Sequence, residues 1–181
     1  GFELQFGVNH LGHFALTGLL IENLVAQSGG RVVNVASNAH RQGRLNFYDL
    51  QSTHRYGRMR AYAQSKLANL VFTAELCRRL RRAKKDDTLS VAAHPGMAHS
   101  NIGSNLNSES YFDRIFEKGL KALSPYLVQS TLAGAVPTLR AATDPLATGG
   151  DYFGPSDRMQ TQGPAVKVEA KKAAYDVHDG R

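Results

Sequence analysis

Apolar side chains recur along the chain with two different periods, and the alternation of these periods predicts helices separated by short strands. Spacings of three and four residues are typical of one helix face, and they predict helices over 2–26, 58–83, 111–123 and 124–143. Short, mostly apolar runs predict buried strands over 31–37, 88–93 and 149–155. The intervening polar segments are expected to be loops, as is the tail after residue 155, apart from a short helix over 168–175.

Two local signals refine the last of these helices. Ser124-Pro125 has the character of an N-cap followed by a first-turn proline, so the helix is expected to begin there. Pro137 lies inside the same pattern and lacks an amide hydrogen, so it is expected to bend or shorten the helix.

Helix and strand alternate along the chain, which is typical of a parallel sheet with helices on both faces. We therefore predict an α/β fold, a doubly wound parallel sheet, in a single domain over 1–181. Ligands of such sheets bind beyond the carboxyl ends of the strands. In this chain those ends are Ser37, the segment His94-Pro95-Gly96 and the residues after Phe153.

Composition narrows the function classes. The apolar fraction of 42% and the charged fraction of 20% are typical of a soluble globular protein. The net charge of +7 is concentrated in 78–85, which we interpret as a solvated helix end rather than a nucleic-acid surface, because no aromatic residues interleave. No apolar run is long enough to span a bilayer, and no histidine has Cys or acidic partners at metal-ligand spacing. The single cysteine, Cys77, fits a reducing compartment, so we expect a cytoplasmic protein.

Two residues one helical turn apart offer acid–base chemistry. Tyr62 and Lys66 are four positions apart in the second helix, so both side chains lie on one face. The ordinary tyrosine pKa of about 10 must fall by about 2 to 3 units for tyrosine to act as a base near neutral pH. A neighbouring ammonium lowers it by favouring the phenolate. Taken alone, the pair also occurs by chance on ordinary helices, and Ser37 at the first strand end is also explained as a simple cap. Together the three side chains converge where such a sheet binds its ligand.

Four stretches of the sequence resemble the short-chain dehydrogenase/reductase family. They are V-N-H-L-G-H-F at 8–14, R-V-V-N-V-A-S-N-A-H at 31–40, A-Y-A-Q-S-K-L-A-N at 61–69 and H-P-G-M-A-H-S at 94–100. The wording S-K-L-A-N-L-V-F-T-A-E-L and the gap of 25 residues between Ser37 and Tyr62 resemble the branch of retinol dehydrogenases and their bacterial relatives. The resemblance implies a Rossmann-like fold and a nicotinamide-dependent oxidoreductase.

The resemblance also implies a catalytic role for each matching residue. Tyr62 would be the general acid in carbonyl reduction and the general base in alcohol oxidation. Lys66 would support Tyr62 and bind the nicotinamide ribose hydroxyls, and Ser37 would donate a hydrogen bond to the substrate oxygen. Asn9 would hold a water linked to the lysine, the alternative being an asparagine on a solvent-exposed helix face.

Further positions match the family's cofactor contacts. The backbone of Pro95, Gly96 and Met97 would meet the nicotinamide carboxamide, and Ser100 would bond to the cofactor. Pro95-Gly96 is also explained as a plain turn, and a turn there is compatible with the cofactor contact. NADP is expected, with NAD as the alternative. The substrate would be a small alcohol, aldehyde or ketone. It would be mostly apolar if the side chains of 111–116 line its site rather than pack against the sheet. A homo-oligomer remains open, and neither a nucleic-acid partner nor a metal is expected.

One part of the family pattern does not occur in these residues. A complete family member begins with a strand and a glycine-rich phosphate loop at a helix N-terminus, and no such motif is present in the sequence. We therefore expect the N-terminal half of the dinucleotide-binding fold to be absent from this chain, which would leave the strand over 31–37 with an unpaired edge. The alternatives to an oxidoreductase are a non-catalytic dinucleotide-binding or sensor protein and an inactive fragment of the enzyme.

Overall fold

The computed structural model describes residues 1–97 and 129–176 of the chain. Its α-helices are α1 (Leu4–Phe6), α2 (Gly12–Val25), α3 (Arg58–Arg82) and α4 (Thr131–Thr143). Its strands are β1 (Arg31–Val35), β2 (Leu89–Ala93), β3 (Tyr152–Pro155) and β4 (Ala165–Lys167). A π-helical turn (Gly7–Leu11) joins α1 to α2, and 3₁₀ helices cover Asn38–Gln42 and Lys172–Tyr175.

The four strands form one sheet in the order β1-β2-β3-β4. β1 and β2 pair in parallel, with Val35 opposite Ala93, and β2 pairs in parallel with β3. α3 connects β1 to β2, so the carboxyl ends of these strands meet at the same edge of the sheet. Apart from β4, this arrangement confirms the predicted α/β fold with a parallel sheet.

Helices cover both faces of this sheet, as expected for a doubly wound fold. Because side chains alternate along a strand, Ala92 and Tyr152 face α3 and pack with Leu67 and other apolar residues of that helix. The neighbouring residues of the same strands face the other way and pack against Ala141 of α4; they are Val91, Ala93 and Phe153.

α3 is the most deeply buried helix of the part described. It begins after Gly57 and runs without interruption to Arg82, close to the predicted bounds. Cys77 on this helix is 6% exposed and packs against the turn before β3, where a side chain at Gly149 would approach the Cys77 Sγ atom to 2.8 Å. Glycine at this turn therefore permits the close contact between α3 and the sheet.

The helical segment 4–25 was predicted as one long helix, and the structure adds a π-helical turn within it. Glu3 caps the segment, since its carboxylate accepts hydrogen bonds from the backbone N–H groups of Gln5 and Phe6. Beyond the π-turn, no residue of α2 is buried. No helix within residues 1–97 and 129–176 is both long enough and apolar enough to cross a membrane.

The second half differs from the prediction in where its long helix begins. The helix predicted from Ser124 does not continue through Gln129 and Ser130; α4 begins at Thr131, capped by the Ser130 hydroxyl. Pro137 lies inside α4 without ending it. The segment 124–128 and the predicted helix over 111–123 lie outside the described residues.

The tail also differs from the expected loop. β4 pairs antiparallel with β3, with Phe153 opposite Lys167, so the sheet is mixed rather than wholly parallel. The expected helix over 168–175 is reduced to the 3₁₀ turn Lys172–Tyr175. An antiparallel neighbour needs only a local reversal of the chain, which explains how so short a strand can join the edge.

Candidate active site

The first turns of α3 place Tyr62 and Lys66 at the carboxyl edge of β1. Tyr62 is half-buried, and Lys66 is only 9% exposed. The Lys66 Nζ atom lies 5.7 Å from the centroid of the Tyr62 ring. It donates a hydrogen bond of 3.0 Å to the carbonyl of Val35, the last residue of β1. The ammonium thus lies beside the phenol and fastens α3 to the end of the strand.

The Lys66 ammonium is unusual because it is buried without a counter-ion in the described residues. Burial lowers the pKa of Lys66, since the charged form loses its hydration. A lysine ammonium carries three N–H donors, and the bond to Val35 uses one. The remaining donors fit the hydroxyl oxygens of a ribose.

Ser37 follows β1 and is held by two interactions. Its Oγ atom accepts a hydrogen bond of 3.2 Å from the backbone N–H of Ala39, so it caps the 3₁₀ helix. Its carbonyl accepts a bond of 2.7 Å from Nδ1–H of His40, whose Nε2 accepts from the backbone N–H of Lys171. Burial lowers the pKa of His40, in agreement with a neutral ring. The Ser37 hydroxyl is left with its own hydrogen to donate.

Asn9 lies in the π-helical turn and contacts α3. Its Nδ2 atom donates to Oγ of Ser65 at 3.1 Å and to Oε1 of Gln5 at 3.0 Å. Its carbonyl accepts a bond of 2.9 Å from Nδ2 of Asn69. Asn9 is therefore engaged with the helix that carries Tyr62 and Lys66, rather than free on a solvent-exposed face.

The segment 95–97 forms a tight turn after β2. Gly96 has φ of +65°, and a side chain there would collide with the Thr161 carbonyl oxygen. The Met97 N–H donates to that carbonyl at 2.8 Å, and the Met97 carbonyl accepts from the Gln129 N–H at 2.8 Å. The Pro95 carbonyl accepts from Gln129 Nε2 at 2.7 Å. A carboxamide oxygen that bound to the Met97 N–H would have to replace the Thr161 carbonyl, whereas the Met97 carbonyl can accept a second hydrogen bond.

Ser100 lies outside the described residues, as do the side chains of 111–116, which would line the substrate site or pack against the sheet. The structure therefore brings Asn9, Tyr62 and Lys66 together around α3. Ser37 stands at the end of the neighbouring strand, and the turn at 95–97 stands at the end of the next.

Sequence reasoning placed His94 at this edge but did not predict its buried contact with the turn that follows. The ring is fully buried, and its Nδ1 accepts a hydrogen bond of 3.2 Å from the Gly96 N–H. The ring lies so close to Gly154 that any side chain there would overlap it. Burial lowers the pKa of His94 to about 4. The sequence signal for His94 was its position just before Pro95-Gly96. Gln129 and Thr161 could not be predicted, because they bond to backbone atoms of the turn and no sequence motif marks such contacts.

An apolar groove of about 510 Å³ lies elsewhere, between the helical segment 4–25, α3 and the loop 45–50. Phe6, Phe14 and Phe72 line it. Ser37, Tyr62 and Lys66 do not, so the groove is separate from the candidate active site.

The arrangement places the phenol of Tyr62, which can exchange a proton, beside the buried Lys66 ammonium. The chain is also similar to known proteins in sequence and in structure. The sequence model of the short chain dehydrogenase family matches residues 2–110. Retinol dehydrogenase 12 of Mus musculus is 40% identical over 181 residues, which cover 98% of this chain and 53% of that protein. Retinol dehydrogenase 11 of Homo sapiens is 48% identical over 102 residues, 56% of this chain and 31% of that protein.

A solved structure gives the same result. The crystal structure of an uncharacterised protein from Mycobacterium paratuberculosis matches with a TM-score of 0.72 and 38% sequence identity. The match covers 99% of this chain and 55% of that one. The chain thus spans about half the length of the proteins with which it aligns.

Proposed function

The chain belongs to the short-chain dehydrogenase family, whose members use a nicotinamide cofactor, and from this membership we propose that it is the catalytic part of an NADP-dependent oxidoreductase. The substrate is a small alcohol, aldehyde or ketone. The observation that carries the proposal is the pairing of Tyr62 with the buried Lys66 ammonium, 5.7 Å from the phenol ring, at the edge where β1 ends.

The residues of the chain divide the acid–base work. In carbonyl reduction, Tyr62 donates its phenolic proton to the substrate oxygen, and in alcohol oxidation the phenolate accepts that proton. Lys66 stabilises the phenolate by its charge, and the Ser37 hydroxyl donates a hydrogen bond to the same substrate oxygen. A nicotinamide cofactor, when bound, supplies or accepts the hydride. The unused donors of Lys66 would hold its ribose hydroxyls.

The finer parts of the proposal rest on other observations. The relatives are named for retinol, a largely apolar alcohol, which favours an apolar substrate for this chain. NADP rather than NAD remains a prediction from the resemblance in sequence. The single cysteine favours the cytoplasm. A homo-oligomer remains a prediction.

Replacement of Tyr62 in the whole protein tests the proposal. Tyr62→Phe removes the transferable proton and keeps nearly all of the side-chain volume, so turnover of straight-chain aldehydes with NADPH should fall at least ~100-fold. Tyr48→Phe is the matched control, because Tyr48 is 99% exposed and should keep wild-type turnover. Activity of Tyr62→Phe within about threefold of wild type would refute the assignment.

A further inference from the structure

Asn69 is a buried amide at the junction of three elements that carry candidate catalytic residues. It lies on α3, three positions after Lys66, and its side chain is fully buried. Nδ2 donates to the Asn9 carbonyl at 2.9 Å and to the Val35 carbonyl at 3.1 Å. Oδ1 contacts Nδ1 of His10 at 3.0 Å. One side chain thus ties α3 both to the π-turn and to the end of β1.

The orientation of this amide is fixed by its partners. Carbonyl oxygens only accept hydrogen bonds, so the two hydrogens of Nδ2 must point to Asn9 and Val35. Oδ1 then accepts from Nδ1–H of His10. The opposite orientation would place an oxygen against two carbonyl oxygens deep in the core, where such repulsion is poorly screened.

The two carbonyls that Asn69 holds are linked to the chemistry. The Val35 carbonyl also accepts the bond from the Lys66 ammonium, and Val35 is two residues before Ser37. The Asn9 carbonyl belongs to the π-turn, where the regular hydrogen-bond ladder of the helix is interrupted and a side-chain donor can enter.

We infer that Asn69 is a positioning residue of the active site: its amide fixes Asn9, Lys66 and the end of β1 relative to one another. The inference rests on the proposed oxidoreductase function. Without the amide, the Val35 carbonyl loses one of its two side-chain donors and keeps the bond from Lys66. The Asn9 carbonyl loses its bond to α3, and the Asn9–Ser65 bond is left to hold the π-turn there. The ammonium then no longer has a defined place beside Tyr62. Small displacements of this kind are costly for catalysis even when no reacting group is removed.

The test compares two buried asparagines in the whole protein. Asn34 on β1 is 4% exposed, and its Nδ2 donates to the Thr73 hydroxyl at 3.0 Å, so it is also a buried donor on the α3 side of the sheet. It contacts neither Lys66 nor Asn9. Asn69→Ala and Asn34→Ala should both lower the melting temperature, because each leaves buried polar groups without partners.

Only the Asn69 variant should change the chemistry. We expect Asn69→Ala to lower kcat by ~10- to 100-fold with little change in KM, and to raise the pH of half-maximal alcohol oxidation by at least about 0.5 unit. Asn34→Ala should keep kcat within about threefold and leave the pH midpoint unchanged. Asn69→Ser, which keeps one hydroxyl donor, should show the same changes to a smaller degree and serves if the alanine variant does not fold. A folded Asn69 variant with wild-type kcat and pH midpoint would overturn the inference.

A second measurement separates this inference from the proposed function. If Tyr62→Phe proved as active as wild type, the oxidoreductase mechanism would fail, and kinetic data could not judge Asn69. The titration of Lys66 would then test the positioning role of Asn69. It is monitored by NMR of protein labelled with ¹³C at the lysine Cε, and the Lys66 signal is assigned by comparison with Lys66→Met. The Lys66 midpoint should rise in Asn69→Ala, since the amide hydrogens near the ammonium are lost, and should stay in place in Asn34→Ala. An unmoved midpoint in Asn69→Ala would overturn the positioning role.

Discussion

The two long helices, α3 and α2, differ in which side chains they bury and which they expose. α3 buries five polar side chains: Gln64, Ser65, Lys66, Asn69 and Thr73. α2 buries no residue and exposes large apolar side chains, with exposed fractions of 54% for Phe14, 56% for Leu16 and 80% for Leu19. The usual preference is the reverse, since lysine and glutamine are rarely buried and leucine commonly is.

The buried polar side chains of α3 are held in place by hydrogen bonds. Each buried polar side chain of α3 has a hydrogen-bond partner, as when Gln64 Nε2 donates to the Leu50 carbonyl and Thr73 Oγ1 donates to the Asn69 carbonyl. A satisfied polar network in a low-dielectric interior holds its members in one arrangement. α2 packs against the cluster of Val32, Leu76 and Leu80 through partly buried side chains, which are Ile21, Leu24 and Val25. Its exposed apolar side chains, such as Leu19, should contribute little to stability.

Among the buried polar side chains of α3, loss of the Lys66 charge should have the largest effect on activity. Lys66→Met keeps the aliphatic stem and removes the cation beside Tyr62, so the pH of half-maximal alcohol oxidation should rise by about 1 to 2 units. Cofactor binding should weaken as well. A pH–rate profile measured on the whole protein checks the prediction, with Lys85→Met as control because Lys85 is exposed. An unchanged profile would remove Lys66 from the mechanism.

A pair of leucine substitutions tests the two helices directly. Leu67→Ala on α3, where the side chain is 1% exposed, should cost about 2 to 5 kcal/mol of unfolding free energy through lost burial and a cavity. Leu19→Ala on α2, where the side chain is 80% exposed, should cost less than about 0.5 kcal/mol. Urea unfolding of both variants provides the comparison. Equal losses in the whole protein would mean that another surface covers α2 there.

The smallest effect is expected from the buried histidine at the end of β2. The pKa of His94 is about 4, below the ordinary histidine value of about 6.5, so between these values the unfolded chain binds a proton that the folded protein does not. Stability should therefore fall as the pH drops from 7 to 5, by about 2 kcal/mol from this residue.

His94→Asn reduces that pH dependence if the assignment is correct. Asparagine can accept the Gly96 N–H through Oδ1 but does not titrate, so the difference in urea midpoint between pH 7 and pH 5 should shrink. Some pH dependence should remain, because burial also lowers the pKa of His40 and of His10.

The elements with strong local patterns were predictable from the sequence. α3 and the strands β1, β2 and β3 lie within a few residues of the bounds that periodicity predicts. β4 was not predictable, because its three residues form a strand only through pairing with β3. The π-turn was also missed, since a single wider turn barely disturbs the apolar spacing of a helix.

The candidate site also has parts that the sequence could predict and parts that it could not. The Tyr-Lys spacing and the strand-end serine are visible in the sequence, because they depend on residue type and on helical or strand geometry. The contacts that hold these groups involve backbone carbonyls, such as those of Val35 and Thr161. Every residue has a backbone carbonyl, so the sequence does not show which carbonyls will accept these hydrogen bonds.

Because Cys77 packs against the turn at Gly149, the reactivity of its thiol reports how often α3 separates from that turn. The side chain is nearly inaccessible, and burial raises the pKa of the Cys77 thiol, so it is shielded both sterically and by the scarcity of thiolate. A disulfide reagent can reach it only after α3 separates from the strand edge. Its labelling rate, compared with that of the unfolded chain, therefore reports the free energy of that separation. These 181 residues contain no other cysteine, so within this chain the labelling signal comes from Cys77 alone.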